Sequence, residues 1–393
     1  MANILMLNIP AEGHVNPSLG IAQAFADRGD SVYYISTEKF KDRLEGVGAN
    51  VILHKDRLDG LDINHASSEG INNFSHFLMD TSLDILALTK ELAQEISIDF
   101  VYYDAFGPGE IVKDYLQVPG FSSSASFLIP EEYKKNLPLH PDASVSFDLD
   151  EKGRALLATM KQEFGVAPKT MLQFMQNQGE QTMVYSSEYF QPHLSEFGEG
   201  YHFIGPSFPE RKDATDFPID QLENEQVLFI SMGTVLDHVE SFFNMCIDAF
   251  TDFPGKVVIS AGSSADFTKL KEAPDHFIIR KYVPQLDVLQ HTNVFLTHGG
   301  MNSTNEAIYF EVPMVVLPHD KDQPLVAARL AELQAGYPIF PPNVTIESLQ
   351  HAVNQVVHNV NYQLGIRKIK ESFQACGGPN EALEIIDRHL ASR

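Results

Sequence analysis

Cysteine, basic residues and long apolar runs are all scarce in this chain. Cys246 and Cys376 are the two cysteines among 393 residues, far apart in sequence. They frame no disulfide scaffold; both read as reduced structural residues in helical patterns, as in a cytosolic protein. Lysine and arginine number 28 against 53 acidic residues, a formal charge of −25. Such a surface repels phosphate backbones and anionic lipid, which argues against nucleic-acid and membrane partners. No run approaches membrane-spanning length. Residues 4–7 are too short for the apolar core of a secretory leader. The expectation is a soluble, cytoplasmic protein, monomeric or weakly dimeric. Also missing is a G-x-G-x-x-G turn after the first strand, so the nicotinamide or flavin fingerprint is absent where it would stand.

What is present is globular. Apolar content is 44% and charged content 21%, and this length suits two domains better than one core. Residues 3–8 read as a buried strand, followed by a loop through His14 with Asn16 as N-cap and Pro17 at the first helical position. A helix to Arg28, a strand at 31–36, a helix at about 39–45 and a strand at 51–54 follow. This β-α-β-α-β order implies a parallel, doubly wound α/β sheet with its ligand site at the strand carboxyl ends. A long helix is expected through Phe77, Leu83, Ile85 and Leu88. Strands at 100–104 and about 121–127 come next, and 182–186 and 201–204 close the first sheet. The region 130–178, with Phe164, Met171, Phe174 and Met175, reads as helical insertions; each of these side chains alone reads as core packing, and as a group they make the N-terminal half the home of a hydrophobic acceptor.

A polar, proline-punctuated stretch from Gly205 to Pro218 is the best linker. The expected division is residues 1–205, a linker at 206–225, a second Rossmann-like domain at 226–376, and a terminal helix in 377–393. In the second half, a strand at 227–230 leads into Ser231-Met-Gly233-Thr234, a small-residue turn suited to a diphosphate. Strands at 256–260, 277–281, 294–297 and 314–317 follow.

Function concentrates between Tyr282 and Gln323. The run Tyr282-Val283-Pro284-Gln285 precedes a short strand, then His298-Gly299-Gly300-Met301-Asn302-Ser303 opens a helix carrying Glu306, and Pro318 leads to Asp322-Gln323. Paired glycines between strand and helix let the backbone approach a ligand, and a helix N-terminus offers N–H groups to an anion. Asn302, Ser303 and Thr304 supply N-cap chemistry, and Glu306 is placed to accept from two adjacent hydroxyls, as a ribose presents. Phosphate, ribose and a polyhydroxy group along one crevice describe a nucleotide sugar.

This segment resembles the donor-binding signature of family 1 UDP-glycosyltransferases, W-x-P-Q…H-C-G-W-N-S…E…P…D-Q. Pro284, Gln285, His298, Gly300, Asn302, Ser303, Glu306, Pro318, Asp322 and Gln323 match it. Tyr282 replaces the tryptophan, Gly299 and Met301 replace the cysteine and second tryptophan, and the spacer before His298 is two residues shorter. Those departures look like the bacterial macrolide-glycosyltransferase branch, which the whole chain resembles. The resemblance implies the GT-B architecture, two doubly wound domains facing each other across a cleft, with the last helix crossing back to the first. It further implies Tyr282 and Gln285 at the uracil, His298 at the phosphates, and Asp322 and Gln323 at the sugar hydroxyls, with glucose favoured.

His14 is the candidate base. Inverting transfer to a hydroxyl needs a group to take the acceptor's proton, and histidine's ordinary pKa suits it. Asp104, at a neighbouring strand end, is the candidate carboxylate that fixes the imidazole, and the resemblance implies the same dyad. No metal or other cofactor is expected. The triplets Asp148-Leu-Asp150 and Asp320-Lys-Asp322 fall in the insertion and in the sugar-binding pattern. The reading is a UDP-hexose transfer to a macrolide, flavonoid or other phenolic. Alternatives are a UDP-sugar epimerase or hydrolase, and a non-catalytic nucleotide-sugar-binding protein.

Overall fold

A first strand of five residues, Asn3–Leu7 (β1), has an almost wholly buried run of apolar side chains. That is the signature of a strand covered on both faces, as parallel sheets are. The structure, a computed structural model, describes residues 1–58, 68–130, 149–170, 173–174, 177–208, 216–233, 240–262 and 265–393. Proximity along the backbone divides the chain into two units, Met1–Pro209 with Cys376–Arg393, and Glu210–Ala375.

In the first unit β1 is followed by α1 (Glu12–Asp27), β2 (Ser31–Ser36), α2 (Lys41–Gly46), β3 (Asn50–Leu53), α3 (Ser68–Glu95) and β4 (Phe100–Asp104). Then come α4 (Gly109–Leu116), β5 (Gly120–Ser124), α5 (Glu151–Phe164), β6 (Thr182–Val184) and β7 (Tyr201–Phe203). All seven strands pair in parallel in the order β3-β2-β1-β4-β5-β6-β7. The chain builds outward from β1 in one direction, then returns to its other side with β4. This reversal is where doubly wound sheets open a crevice at their carboxyl edge.

Alternation sorts the core. Ile4, Met6, Tyr34 and Tyr102 cluster with Leu19 and Phe25 of α1. Leu5, Leu7, Ile35 and Tyr103 cluster instead with Phe77, Leu78 and Ile85 of α3.

The second unit repeats the plan with β8 (Val227–Ser231), α6 (Glu240–Ala249), β9 (Lys256–Ser260), β10 (Phe277–Arg280), α7 (Gln285–His291) and β11 (Val294–Thr297). It continues with α8 (Met301–Tyr309), β12 (Met314–Val316), α9 (Gln323–Glu332), β13 (Gly336–Pro338), α10 (Ile346–His358) and α11 (Val360–Gln374). Its parallel order is β10-β9-β8-β11-β12-β13, with the reversal between β8 and β11. Leu228, Ile230 and Leu296 pack under Phe243 of α6 and Leu349 of α10, while Phe229 and Phe295 stack on the opposite face at 4.7 Å. The last helix, α12 (Gly378–Ala391), belongs to the first unit, where Ala382, Leu383 and Ile386 join the α1 core. Among the described residues no helix is long and apolar enough to cross a membrane.

Several expectations need correction. Helix α1 begins at Glu12 with Ala11 as N-cap, so Asn16 is no cap and Pro17 lies inside the helix. Arg43 accounts for this: its guanidinium reaches both Glu12 and Asn16 and holds the turn before the proline. His14 therefore stands on the first helical turn, not in a loop. The helix expected at about 39–45 is present as α2, entered through a 3-10 turn at Glu38–Phe40. The short edge strand β13 was not anticipated. Cys376 lies in the turn between α11 and α12 rather than in a helix. Phe174 is fully buried in the α3-side core that includes Met160, in line with the core packing expected of it alone. Met171, Met175, Thr234, Asp148 and linker residues 209–215 lie outside the described residues.

Candidate active site

The reversal point of the first sheet brings the two expected catalytic residues together. Asp104 is the last residue of β4, whose neighbour β1 feeds the turn into α1 and its His14. His14 Nδ1 stands 3.0 Å from Asp104 Oδ2. The imidazole is 33% exposed and the carboxylate 3%. One partner thus faces solvent while the other is sunk in the sheet edge. The second carboxylate oxygen, Oδ1, accepts the Phe106 N–H at 2.7 Å. The Phe106 ring lies 5.7 Å from the imidazole, centroid to centroid, and continues into Phe74 and Phe77. From the other side, Asn8 Nδ2 donates to the His14 carbonyl at 2.7 Å. Asn8 and Phe106 are contacts that motif reading missed; Asn8's place just past a strand end was the available signal.

The reversal point of the second sheet brings His298 beside the turn that follows β8. Register pairs Thr297 of β11 with Ser231 of β8, so His298 and the Ser231–Gly233 turn adjoin. A Cβ on Gly233 would lie 2.6 Å from His298 Cε1, and one on Gly300 would lie 2.5 Å from Nε2. These glycines make room for the imidazole, a different reason for glycine from the expected approach of backbone to ligand. Gly233 and Gly299 also hold positive φ of 73° and 84°, a region costly to residues bearing a Cβ. Burial is the main cause of a His298 pKa lowered to about 4, with His319 and Lys321 adding to it and Asp320 opposing. The ring is therefore neutral near pH 7. It can donate one hydrogen bond but carries no charge.

Helix α8 starts at Met301 with Gly300 as N-cap and no side-chain cap bond. Asn302 and Ser303 are thus first-turn residues rather than caps. The first bond to close the helix is Thr304 N–H to Gly300 O, so the turn's leading N–H groups point out of the helix end. Gln285, Ser303 and Glu306 do come together: Gln285 Nε2 donates to Ser303 Oγ at 3.2 Å and to Glu306 Oε2 at 2.5 Å. Glu306 is only 3% exposed, with Gln285 held against it. Tyr282, by contrast, is 63% exposed, ahead of the buried Val283. Gln323 is buried and stitches its own loop. Its Oε1 accepts from the N–H groups of His319 and Asp320, at 2.9 and 3.4 Å, and its Nε2 donates to Asp320 Oδ1. Asp322 occupies the N-cap position of α9.

Among the described residues no group of three or more ligating side chains gathers. Asp150 caps α5 through Gly153 N–H and contacts His76 Nε2 at 2.7 Å. A cavity of about 490 Å³ lined by Thr292, Tyr309, Glu311 and Lys370 adjoins the amino end of β11, away from His298. Glu311 and Lys370 there pair at 3.0 Å. It holds none of the expected site residues.

Comparison with known proteins decides the family. A family model described as UDP-glucoronosyl and UDP-glucosyl transferase matches residues 188–371. An uncharacterized UDP-glucosyltransferase of Bacillus subtilis (strain 168), YdhE, is 57% identical over the full length of both chains. The chain belongs to this family. It is a UDP-dependent glycosyltransferase with the GT-B fold. A demethyllactenocin mycarosyltransferase of Streptomyces fradiae is 27% identical, covering 100% of this enzyme and 87% of its own length. The crystal structure of the glycotransferase of kitacinnamycin superposes with a TM-score of 0.84 at 25% identity over 98% of each chain. The glycosyltransferase thus has its strongest sequence signature in the second unit and its structural likeness over both.

Proposed function

We propose that this glycosyltransferase moves a hexose, glucose in the first instance, from its UDP-sugar to a hydroxyl of a small hydrophobic acceptor. The acceptor class is macrolide, flavonoid or other phenolic natural product, and the anomeric configuration inverts. Relatives named for demethyllactenocin and kitacinnamycin support the natural-product class. The observation that carries the mechanism is the 3.0 Å approach of His14 Nδ1 to Asp104 Oδ2.

In this reading the imidazole turns Nδ1–H onto the carboxylate oxygen 3.0 Å away, and the Nε2 lone pair is the one left to take a proton. The acceptor hydroxyl gives its proton to Nε2 as its oxygen bonds to the anomeric carbon. The bond from that carbon to the β-phosphate oxygen breaks on the opposite face, and UDP leaves with the electron pair. Asp104 offsets the imidazolium that forms, an attraction strengthened by its burial. The N–H groups opening α8 and the neutral His298 donor would face the charge growing on UDP, which removes the need for a divalent metal or other cofactor. Glu306 would serve the ribose, Tyr282 and Gln285 the base, and Asp322 and Gln323 the sugar.

The test is incubation with UDP-glucose and a panel of aglycones, with and without EDTA, read by mass and by the anomeric proton's coupling. A β-linked hexoside formed equally with EDTA is the expected result. UDP-glucose consumed without any acceptor-linked product would overturn the transfer reading, and abolition by EDTA would overturn the metal-free mechanism.

A further inference from the structure

We propose that Asn8 is a positioning residue for His14: its side-chain amide holds the His14 carbonyl and so sets how the imidazole meets Asp104. This rests on the catalytic reading of the His14–Asp104 pair.

Placement comes first. Leu7, the last residue of β1, pairs with Ile35 on one side and with Tyr103 on the other. The next residues, Ser36, Asn8 and Asp104, are therefore level across three adjacent strand ends. Met6, Tyr34 and Tyr102 belong to the core on the α1 side, and strand alternation carries Asn8, Ser36 and Asp104 to that same face. The first turn of α1, with His14, rests above them. Asn8 is the middle member of the row.

The backbone of that turn has a reason to need support. Pro17 lies inside α1 and has no N–H, so the Gly13 carbonyl lacks the donor a regular helix would give it. The ladder is interrupted in the turn that carries His14. Asn8 Nδ2 supplies a bond to the adjoining carbonyl, His14 O, at 2.7 Å. The amide orientation follows from chemistry, since the reverse would set two oxygens against each other at that distance. Asn8 is 2% exposed, and its Oδ1 is buried with no hydrogen-bond partner among the described residues. An unmatched buried acceptor weighs against stability. A position that served only packing would relieve that cost with an apolar side chain. The amide is explained by the grip it has on His14.

The charges around the imidazole make its titration a sensitive gauge of that grip. On its own turn, Glu12 pairs with Arg43 and Lys39 from α2 and the turn before it. Burial raises the pKa values of Tyr34, Tyr102 and Tyr185, so these stay neutral. On α12, Asp387 pairs with Arg28 at the far end of α1. Asp104 is the charge met through Nδ1. Loosening the contact with it lowers the His14 pKa, and a second carboxylate beside the turn raises it.

The experiment compares wild type with Asn8→Ala and the isosteric Asn8→Asp, each first shown folded by circular dichroism and UDP binding. Histidine-labelled enzyme is titrated by nitrogen-15 NMR, with the His14 resonance assigned by its loss in His14→Ala. Asn8→Ala is expected to move the His14 titration to lower pH and Asn8→Asp to higher pH. A geometric slip of this kind lowers kcat by about tenfold to a hundredfold, with the KM for UDP-sugar unchanged. His14 titrating as in wild type in both folded variants would overturn the role of Asn8. The catalytic reading fails separately, if His14→Ala itself keeps wild-type turnover, and the NMR result decides the positioning role in either case.

Discussion

His298 offers a quantitative test because its environment opposes protonation so strongly. Its pKa falls from 6.5 to about 4 on folding, chiefly through burial. Between those two values the unfolded chain binds a proton that the folded chain refuses, so stability falls as the pH drops through that window. At about 1.4 kcal/mol per unit, the shift caps this contribution at about 3 kcal/mol. About 2 kcal/mol of it is lost between about pH 7 and about pH 4.5. Other groups titrate over the same range, including His54 and His202 with their lowered pKa values, so the useful quantity is a difference. Urea unfolding of wild type and His298→Gln, followed by circular dichroism at both pH values, isolates it. Wild type should lose about 2 kcal/mol more than the variant on acidification. Equal losses would show that His298 is not held neutral by burial. The same neutrality bears on the donor site: a ring that only donates a hydrogen bond gives an affinity for UDP-glucose, whose diphosphate keeps its charge, that is flat from about pH 6 to about pH 8. A tenfold weakening over that range would point to a cationic contact instead.

Replacing Glu306 by alanine should weaken UDP-sugar binding and leave the fold intact; unchanged calorimetric affinity would remove the carboxylate from the ribose. Gly300→Ala places a Cβ against His298 Nε2, so UDP affinity should fall by about tenfold or more through displacement of that ring, and affinity equal to wild type would show the ring is not used. Asp104→Asn preserves the shape of the dyad but removes its charge. Turnover should drop by about two to four orders of magnitude with UDP affinity unchanged, and a variant within a factor of two of wild type would reduce Asp104 to a structural group. Truncating Ile386, fully buried between α12 and the sheet, should cost about 2–5 kcal/mol in the first unit, as measured by chemical denaturation.

The legible parts of the fold were those written in local pattern. Continuous apolar runs marked β1, β2, β4, β8 and β11 because parallel strands bury both faces. Their order with the helices then implied two doubly wound sheets. The edge strand β13, Gly336-Tyr-Pro338, carries the two residues that pattern rules count against strands, and it is tolerated there because an edge needs fewer ladder bonds. The start of α1 escapes local pattern for a different reason. Asn16-Pro17 has the look of a cap and first turn, but Arg43, Glu12 and Asn8 hold an earlier turn in place, and no local rule contains them.

The site divides the same way. Residue types and spacing brought His14 and Asp104 to one sheet edge, and His298, Gly300, Ser303 and Glu306 to another. Side-chain partners were not readable: Gln323 binds its own loop, Gln285 lies on Glu306, and the glycines beside His298 accommodate its ring. Such choices depend on which group lies across a gap of a few ångström, and spacing along the chain does not encode that.

The mechanism requires that His14, braced by Asp104, takes the proton from the acceptor. Turnover of His14→Ala with saturating UDP-glucose and an accepted aglycone, beside calorimetric affinity for UDP, tests it most directly. In His14→Ala, kcat should fall by about two to four orders of magnitude while UDP binds as in wild type. Undiminished turnover by a variant that still binds UDP would contradict it.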